Sequence, residues 1–310
     1  MESFKAPVVF LIFNRPNTTK VVFDAIAAAK PNRLLVIADG PRPHIADEAE
    51  LCMRARAVVQ LVDWPCDVQL NYSDVNLGCR ERVISGLHWA FSLVEEAIIL
   101  EDDCVPDPSF FPFCQTLLTR FREDRRVGMI AGTNFVEDKV NTPYSYYFSQ
   151  LVHIWGWATW RRAWLLYDRD LKDWPQLRQT TFLEELFHNP EVSEHWAHLL
   201  DRMHDGTGPN TWDIQWAYTC FIHNALAIVP RRNLVRNIGF GSNATHTLVA
   251  DPRHKFVCGA MEFPLRHPPS VYPSHSIDRL DARLGLPPSL AQRAIWKVRR
   301  ILSRSIRRSN

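Results

Sequence analysis

Three consecutive acidic residues, Glu101, Asp102 and Asp103, are the group in this sequence best suited to chemistry. They directly follow the apolar run at 97–100, which is typical of a buried strand. Adjacent carboxylates repel one another unless positive charge lies among them. A hard divalent cation, Mn²⁺ or Mg²⁺, that also binds phosphate oxygens would supply that charge. A solvated acidic turn that caps a helix beginning near Pro108 is the alternative, and composition alone does not decide between the two.

The elements that must position this triplet alternate between strands and helices. Apolar runs rich in strand-forming residues predict strands at 8–13, 34–38, 68–70 and 97–100. Apolar residues at helical spacing predict helices between them, at 18–29, 46–62 and 83–94. This alternation predicts an α/β fold in which helices flank a mainly parallel sheet. Ligands of such sheets bind at the carboxyl ends of the strands.

The second half of the chain is less regular and rich in tryptophan. Two interpretations of these tryptophans stay open, a cleft with flat apolar walls and an aromatic core. Helices are predicted near 181–204 and 213–224. Repeated prolines between 264 and 288 predict an extended segment that leaves the domain. We therefore divide the chain into a domain at 1–265 and a Pro-rich extension with a basic, amphipathic helical tail at 266–310.

Charge is distributed unevenly along the chain. The segment 291–310 holds seven basic residues and no acidic one, which exceeds the net charge of +2, so residues 1–290 are acidic overall. This disfavours a nucleic acid partner. The tail places Ile295, Val298, Leu302 and Ile306 on one helical side, with most cations opposite. Binding to an anionic membrane surface and packing against the domain are both compatible with that pattern.

The cysteines and the start of the sequence indicate the compartment. Seven cysteines are scattered without a Cys-x-x-Cys pair, which favours neither a zinc ribbon nor a disulfide framework. The first residues lack the form of a signal peptide, and the apolar run at 7–13 has the length of a strand. We therefore expect a cytoplasmic protein that the tail could hold peripherally on the inner face of the cell membrane.

The segment from Ile98 to Phe111 resembles the Asp-x-Asp-type segment of GT-A-fold glycosyltransferases. It looks closest to the inverting N-acetylglucosaminyltransferase of N-glycan processing and its bacterial relatives, in which a similar helix start follows the acidic triplet. Two earlier segments are similar to the family's first strand with its nucleobase-contacting loop, at 10–20, and to its second nucleotide-contacting aspartate, at 36–39. The resemblance extends loosely over 7–250 and is most specific at 98–111. It implies an α/β fold of the GT-A type, with a Rossmann-like, mixed and mainly parallel sheet flanked by helices.

The resemblance implies a role for each matching residue. Asp103 would bind the metal, Asp102 would lie nearer the ribose and Glu101 nearer the donor sugar. Arg15 and Asp39 would contact the nucleobase. Many GT-A enzymes bring a late histidine to the metal or diphosphate, and the Gly-rich stretch at 239–247 resembles one in bacterial relatives. His246 would then be a metal ligand, and a histidine that only bonds its own loop is the alternative.

The catalytic base is implied less firmly. The segment Trp212-Asp213 resembles the family's Trp-Asp-Asp-Trp segment, so Asp213 would deprotonate the acceptor hydroxyl. This chain has one aspartate where the family has two. A lone aspartate at this position could instead cap the following helix. Weaker substitutes for the base are Glu137, Asp138 and Asp205.

Together these features predict a metal-dependent, inverting hexosyl- or N-acetylhexosaminyltransferase. Its donor would be a nucleotide-sugar, with a UDP-sugar expected from the resemblance. Its acceptor would be a saccharide or a lipid-linked saccharide in bacterial surface polysaccharide synthesis. A non-catalytic saccharide- or nucleotide-sugar-binding relative of the same fold is the alternative. A nucleotidyltransferase would need a Gly-rich loop after the first strand, which the residues at 14–17 lack.

The membrane hypothesis for the tail has a direct test. Deletion of residues 289–310 should reduce sedimentation with anionic liposomes, because the deleted segment carries seven cations opposite an apolar stripe. Neutral liposomes serve as the control. Equal sedimentation of the intact and shortened proteins with anionic liposomes would contradict the hypothesis.

Overall fold

A computed structural model of the chain describes residues 4–239, 257–284 and 286. Its strands are β1 (Val8–Ile12), β2 (Arg33–Ala38), β3 (Asp67–Tyr72), β4 (Glu96–Glu101), β5 (Cys104–Pro106), β6 (Val127–Ala131), β7 (Tyr146–Ser149), β8 (Trp157–Trp160), β9 (Leu226–Pro230) and β10 (Val235–Asn237). Its helices are α1 (Pro16–Ala29), α2 (Glu48–Ala57), α3 (Gly78–Leu93), α4 (Phe110–Arg120), α5 (Arg161–Trp164), α6 (Trp174–Leu177), α7 (Phe182–Phe187), α8 (Pro190–His204), α9 (Asp213–Ile222) and α10 (His275–Leu284), with 3-10 turns at Val58–Leu61 and Glu137–Lys139.

Eight of these strands form one sheet in the order β3-β2-β1-β4-β8-β6-β9-β7. Strands β3, β2, β1 and β4 run parallel, and so do β6 and β9. Strand β8 runs antiparallel between β4 and β6, and β7 runs antiparallel to β9 at the edge. The predicted α/β fold, with a mixed and mainly parallel sheet flanked by helices, is confirmed.

Both faces of the sheet are covered, which is why its central strands are apolar at every position. On β1, Phe10 faces a core cluster that includes Phe23 of α1 and Leu117 of α4. Its neighbour Val9 faces the opposite cluster, which includes Leu87 of α3 and Trp216 of α9. The helices therefore form two layers, and a third apolar cluster joins α7, α8 and α9.

The tryptophans of the second half are mainly core residues. Those at 157, 160, 164, 174, 212 and 216 are fully buried. Trp157 and Trp212 stack with ring centroids 5.4 Å apart. Of the two interpretations of the sequence, aromatic core therefore holds for most of them, while Trp155 lines a pocket.

The chain changes direction across the sheet beside β1. It runs outward from β1 to β2 and β3, and then returns to β4 on the other side of β1. In open α/β sheets, ligands bind outside the carboxyl ends of the strands at such a switch point. Because β8 is antiparallel to β4, the residues that precede β8 also lie at this edge. The fold thus directs several loops to one place.

The described part of the predicted extension packs against β7, the strand at one edge of the sheet. Arg266 exchanges hydrogen bonds with Ser145, and the Ser274 amide donates to the Phe148 carbonyl at 2.8 Å. On α10, Asp278 accepts from the Ser149 hydroxyl at 2.6 Å. The division of the chain at 265 stays a prediction, and residues 291–310 lie outside the described part. No helix in the described ranges has both the length and the apolarity needed to cross a bilayer.

Candidate active site

A cavity of about 420 Å³ opens at the carboxyl ends of β1, β2 and β4. Its walls come from the loops after these strands, from the segment before β8, from the start of α9 and from the residues after β10. Six of the residues predicted from sequence line it together: Arg15, Asp39, Glu101, Asp102, Asp103 and Asp213. The seventh, His246, lies outside the described residues.

Arg15 forms ion pairs with two members of the acidic triplet. Its Nη1 lies 2.8 Å from Oδ2 of Asp103, and its Nη2 pairs with Oδ1 of Asp102. Asp102 also accepts from the backbone N–H of Phe13 at 3.2 Å. Burial acts to lower the pKa of Arg15, but the two aspartates outweigh it and raise that pKa above its ordinary value. The positive charge expected among the carboxylates is therefore supplied, in part, by the loop after β1.

Glu101 differs from the two aspartates. Its carboxylate accepts no hydrogen bond from the described residues, although it lines the same cavity. Burial, followed by the nearby charges of Asp103 and Asp102, raises the pKa of Glu101 to about 8. The cavity is thus short of positive charge around Glu101.

The whole lining is rich in acid. Five acidic and three basic side chains line the cavity. Two of the three basic ones are paired with groups other than the acidic triplet: Arg42 pairs with Glu48, and Arg82 donates to the Ala38 carbonyl and to Asn71. A cation that enters beside Glu101 and Asp103 would therefore meet an electrostatically favourable site.

The donor set suits a metal that is shared with a ligand. No group of three or more His, Cys, Asp or Glu side chains within residues 4–239 and 257–284 is arranged to hold a metal by itself. Mg²⁺ and similar cations in nucleotide sites take only one or two carboxylates, and phosphate oxygens and water complete their coordination. Asp103 fits that role, because its second oxygen receives only weak contacts, such as Asn237 Nδ2 at 3.4 Å.

The short ribbon of β5 and β10 brings residues 237–239 over Asp103. The backbone N–H of Ile238 donates to the Asp103 carbonyl at 2.8 Å. A β-carbon at Gly239 would collide with the Asp103 carboxylate and would lie 2.9 Å from Nη1 of Arg15. Only glycine therefore allows the chain to pass this close at position 239, the first residue of the Gly-rich stretch that contains His246.

Asp39 performs a structural task at the end of β2. Its Oδ1 accepts from the backbone N–H groups of Gly40 and Leu77, each at 2.9 Å. Its Oδ2 accepts from the Gly78 N–H and the Asn76 amide, each at 3.0 Å. Burial raises the pKa of Asp39, and the backbone bonds oppose that shift. The carboxylate thus holds the loop that begins α3, where Gly78 has φ +78°. Its predicted contact with the nucleobase stays a prediction.

Asp213 lies at the start of α9, but its side chain does not cap that helix. Its Oδ1 instead accepts from the Thr211 hydroxyl, and both residues line the cavity. The stacked pair of Trp157 and Trp212 fixes the chain immediately before it. The side chain therefore does not make the capping hydrogen bond of the alternative interpretation, and the role of Asp213 as a base stays a prediction.

The weaker substitutes for the base do not line the cavity. Glu137 accepts from the backbone N–H of Asn233, and Asp138 pairs with Lys139 at 2.8 Å. Asp205, at the end of α8, is exposed. The carboxylate that remains near Glu101 is Asp213, which is close enough to act on the Glu101 pKa.

Sequence reasoning missed several residues of the site, of which Arg42, Asn76 and Asn210 are the clearest. Arg42 follows β2 by four residues, and Asn76 follows β3 by four. The rule that ligands bind at the carboxyl ends of strands would have pointed to both loops. Asn210 precedes a helix and carries no comparable signal.

No protein-family model and no curated protein matches this chain. Similar solved structures include a mannosyltransferase from Pyrobaculum calidifontis in complex with GDP-Man and Mn²⁺, at 14% identity and a TM-score of 0.36 over 70% of each chain. Mouse xyloside xylosyltransferase 1 in its apo form is 10% identical, with a TM-score of 0.36 over 73% of this chain and 84% of that one. A UDP-glucose pyrophosphorylase complexed with UDP-glucose is 9% identical, with a TM-score of 0.24 over 46% and 62%. At these scores the likenesses assign no family, and the function must be inferred from the site.

The contribution of Asp39 to the stability of the loop that begins α3 can be tested by substitution. Asp39→Ala should lower the free energy of unfolding by about 2–4 kcal/mol, because buried donors lose their acceptor. It should also speed hydrogen exchange at the amides of Leu77 and Gly78. The exposed Asp74→Ala, in the same loop, should leave both measurements unchanged. Wild-type exchange rates in Asp39→Ala would show that the carboxylate does not hold the loop.

Proposed function

We propose that this chain is a metal-dependent glycosyltransferase that moves a sugar from a nucleotide-sugar donor to a saccharide or lipid-linked acceptor. The observation that carries the proposal is the joint lining of one cavity by the acidic triplet after β4, the guanidinium after β1 and the aspartate that begins α9. The cavity volume, about 420 Å³, lies in the usual range for small-molecule sites. Its position at the switch point of the sheet also suits a nucleotide.

The diphosphate of the donor fits beside Asp103. In the proposal Asp103 holds the divalent cation, Mn²⁺ or Mg²⁺, together with phosphate oxygens, and His246 is its expected further ligand. When bound, that cation would stabilise the charge that develops on the leaving diphosphate. Arg15 adds a second positive charge at the same edge. Asp102, which is held by Arg15 and Phe13, would lie on the ribose side.

The donor sugar then lies toward Glu101 and Asp213. Glu101 keeps free acceptor oxygens for the sugar hydroxyls. Asp213 accepts a hydrogen bond from Thr211, which orients its carboxylate as a general base. A base on the side opposite to the diphosphate deprotonates the acceptor hydroxyl as its oxygen attacks the anomeric carbon. One such displacement inverts the configuration of that carbon.

Finer features of the function rest on the sequence resemblance. These are transfer of a hexosyl or N-acetylhexosaminyl group, a UDP-sugar donor, a role in bacterial surface polysaccharide synthesis and cytoplasmic action near the membrane. The half-buried ring of Trp155, which packs edge-on against Phe135 with ring centroids 5.1 Å apart, also lines the cavity.

The metal site can be tested without knowledge of the acceptor. A nucleoside diphosphate with Mn²⁺ should raise the thermal stability of the wild type by about 2.7 kcal/mol at a hundredfold excess over Kd. Asp103→Ala should remove the Mn²⁺-dependent part of that increase, because the bridging carboxylate is lost. Asp24→Ala, an exposed change on α1, is the control. An undiminished increase in Asp103→Ala would exclude Asp103 as a ligand.

The role of Asp213 as the general base can be tested separately from nucleotide binding. Asp213→Asn should keep nucleoside diphosphate affinity within about twofold and lower the release of nucleoside diphosphate from a nucleotide-sugar by about 10²–10⁴-fold, the usual contribution of a general base. Asp205→Asn, an exposed change outside the cavity, should retain full activity. If Asp213→Asn is equally active, the base must be another group.

A further inference from the structure

Both residues that the resemblance assigns to the nucleobase are already engaged with other groups of the protein. A carboxylate offers about four acceptor positions, and Asp39 uses four for donors of its own chain. Arg15 directs both of its terminal nitrogens to Asp102 and Asp103. Side chains that neighbour these two residues in the cavity wall are therefore the candidates for recognising a base at this end of the cavity.

Arg42 has a guanidinium nitrogen available as a donor, and Glu48 holds its side chain in place. Its Nε and Nη2 pair with Glu48, whose side chain is only 1% exposed. Glu48 also accepts from the backbone N–H of Arg42 at 2.7 Å and from the Asn14 amide at 2.8 Å. The Nη1 group has no hydrogen-bond partner among the described residues, and the Arg42 side chain is 43% exposed in the cavity wall. One guanidinium nitrogen is thus held in place and left for a ligand.

A flat surface lies beside this donor. The Phe13 ring centroid is 5.8 Å from Cζ of Arg42, and both residues line the cavity. The backbone of Phe13 is fixed by its hydrogen bond to Asp102. An aromatic ring and a guanidinium plane are the two groups on which a heterocyclic base stacks most readily.

Asn76 supplies the complementary acceptor. Its Nδ2 donates to Oδ2 of Asp39 at 3.0 Å and to the Gly40 carbonyl at 2.8 Å. Both partners can only accept, so the orientation of the amide is fixed by its surroundings. The amide oxygen, Oδ1, is the group that remains for a ligand. Asp39 therefore reaches the ligand indirectly, through the amide that it orients.

We propose that Arg42 and Asn76 read the edge of the donor nucleobase and select a base that presents a carbonyl next to a ring N–H. The guanidinium donates to the carbonyl, and Oδ1 of Asn76 accepts from the N–H. Uracil and guanine present this pair. Cytosine and adenine present a ring nitrogen acceptor next to an amino group, which leaves both protein groups mismatched. This inference rests on the proposed function, because it requires that a nucleoside diphosphate bind in this cavity.

The experiment is a calorimetric titration of UDP, GDP, CDP and ADP, each with Mn²⁺. The wild type should bind UDP or GDP about tenfold more tightly than CDP and ADP, as one or two hydrogen bonds would give. Arg42→Lys keeps a cation beside Glu48 but removes the free nitrogen, and Asn76→Ala removes the acceptor. Each should reduce the preference to less than about threefold, with little change for CDP and ADP. Arg126→Gln, a change at an exposed arginine immediately before β6, is the control.

Three other results of these titrations would each contradict a specific statement. Equal wild-type affinity for all four nucleotides would reject base reading while the proposed function stands. An equal loss of affinity for all four nucleotides in Arg42→Lys would show that Arg42 contacts the phosphates and not the base. Failure of the wild type to bind any of the four would reject the proposed function together with this inference.

Discussion

The ion pairs of Arg15 with Asp102 and Asp103 are the interaction on which the arrangement of the site depends. They join the loop after β1 to the end of β4, the two strands between which the sheet changes direction. Removal of one partner from such a buried group typically costs about 3–5 kcal/mol, because the remaining charge is uncompensated. The pairs therefore hold the crevice in one shape, while Glu101 and the second oxygen of Asp103 remain for a ligand.

Two further buried carboxylates extend this rigidity to the neighbouring loops. Glu48 ties the loop after β1, through Asn14, to the loop after β2, through Arg42. Asp39 ties the end of β2 to the start of α3. Groups that are held by their own chain need little reorganisation on binding, which favours affinity and selectivity. The loops of the cavity are thus organised before a ligand arrives.

Much of the fold could be predicted from local sequence. The runs at 8–12, 34–38 and 97–100 are apolar because both faces of the central sheet are covered, and their positions fix the acidic triplet at a strand end. The predicted helical stretch at 181–204 divides into α7 and α8, since Asn189 caps a new helix that begins at Pro190. Strand β8 was not anticipated. Its place between β4 and β6 depends on long-range pairing, which a four-residue segment does not encode.

The site could be predicted in composition but not in its contacts. The residue types at 15, 39, 101–103 and 213 identified the lining, because each follows a strand or begins a helix. A carboxylate is unavailable to a ligand when donors of the protein already fill its acceptor positions. Those donors come from distant parts of the chain, so the sequence does not show which carboxylates are filled. Asp39 and Glu101 look equally available in the sequence, yet one accepts four hydrogen bonds and the other accepts none from the described residues. The sequence contains no indication that Glu48 is buried, because a buried glutamate in a polar helix cannot be told from an exposed one by residue type.

The central claim is that this cavity holds a divalent cation only together with a nucleoside diphosphate. Electron paramagnetic resonance of free Mn²⁺ measures this directly, since the signal of the hexa-aquo ion is lost on binding. We expect the protein alone to leave most of the signal in place, because Asp103 and its neighbours are too few to hold the ion. Addition of UDP or GDP should then remove about one equivalent of Mn²⁺ per chain, beyond what the nucleotide binds without protein. An unchanged Mn²⁺ signal with every nucleoside diphosphate would contradict the claim.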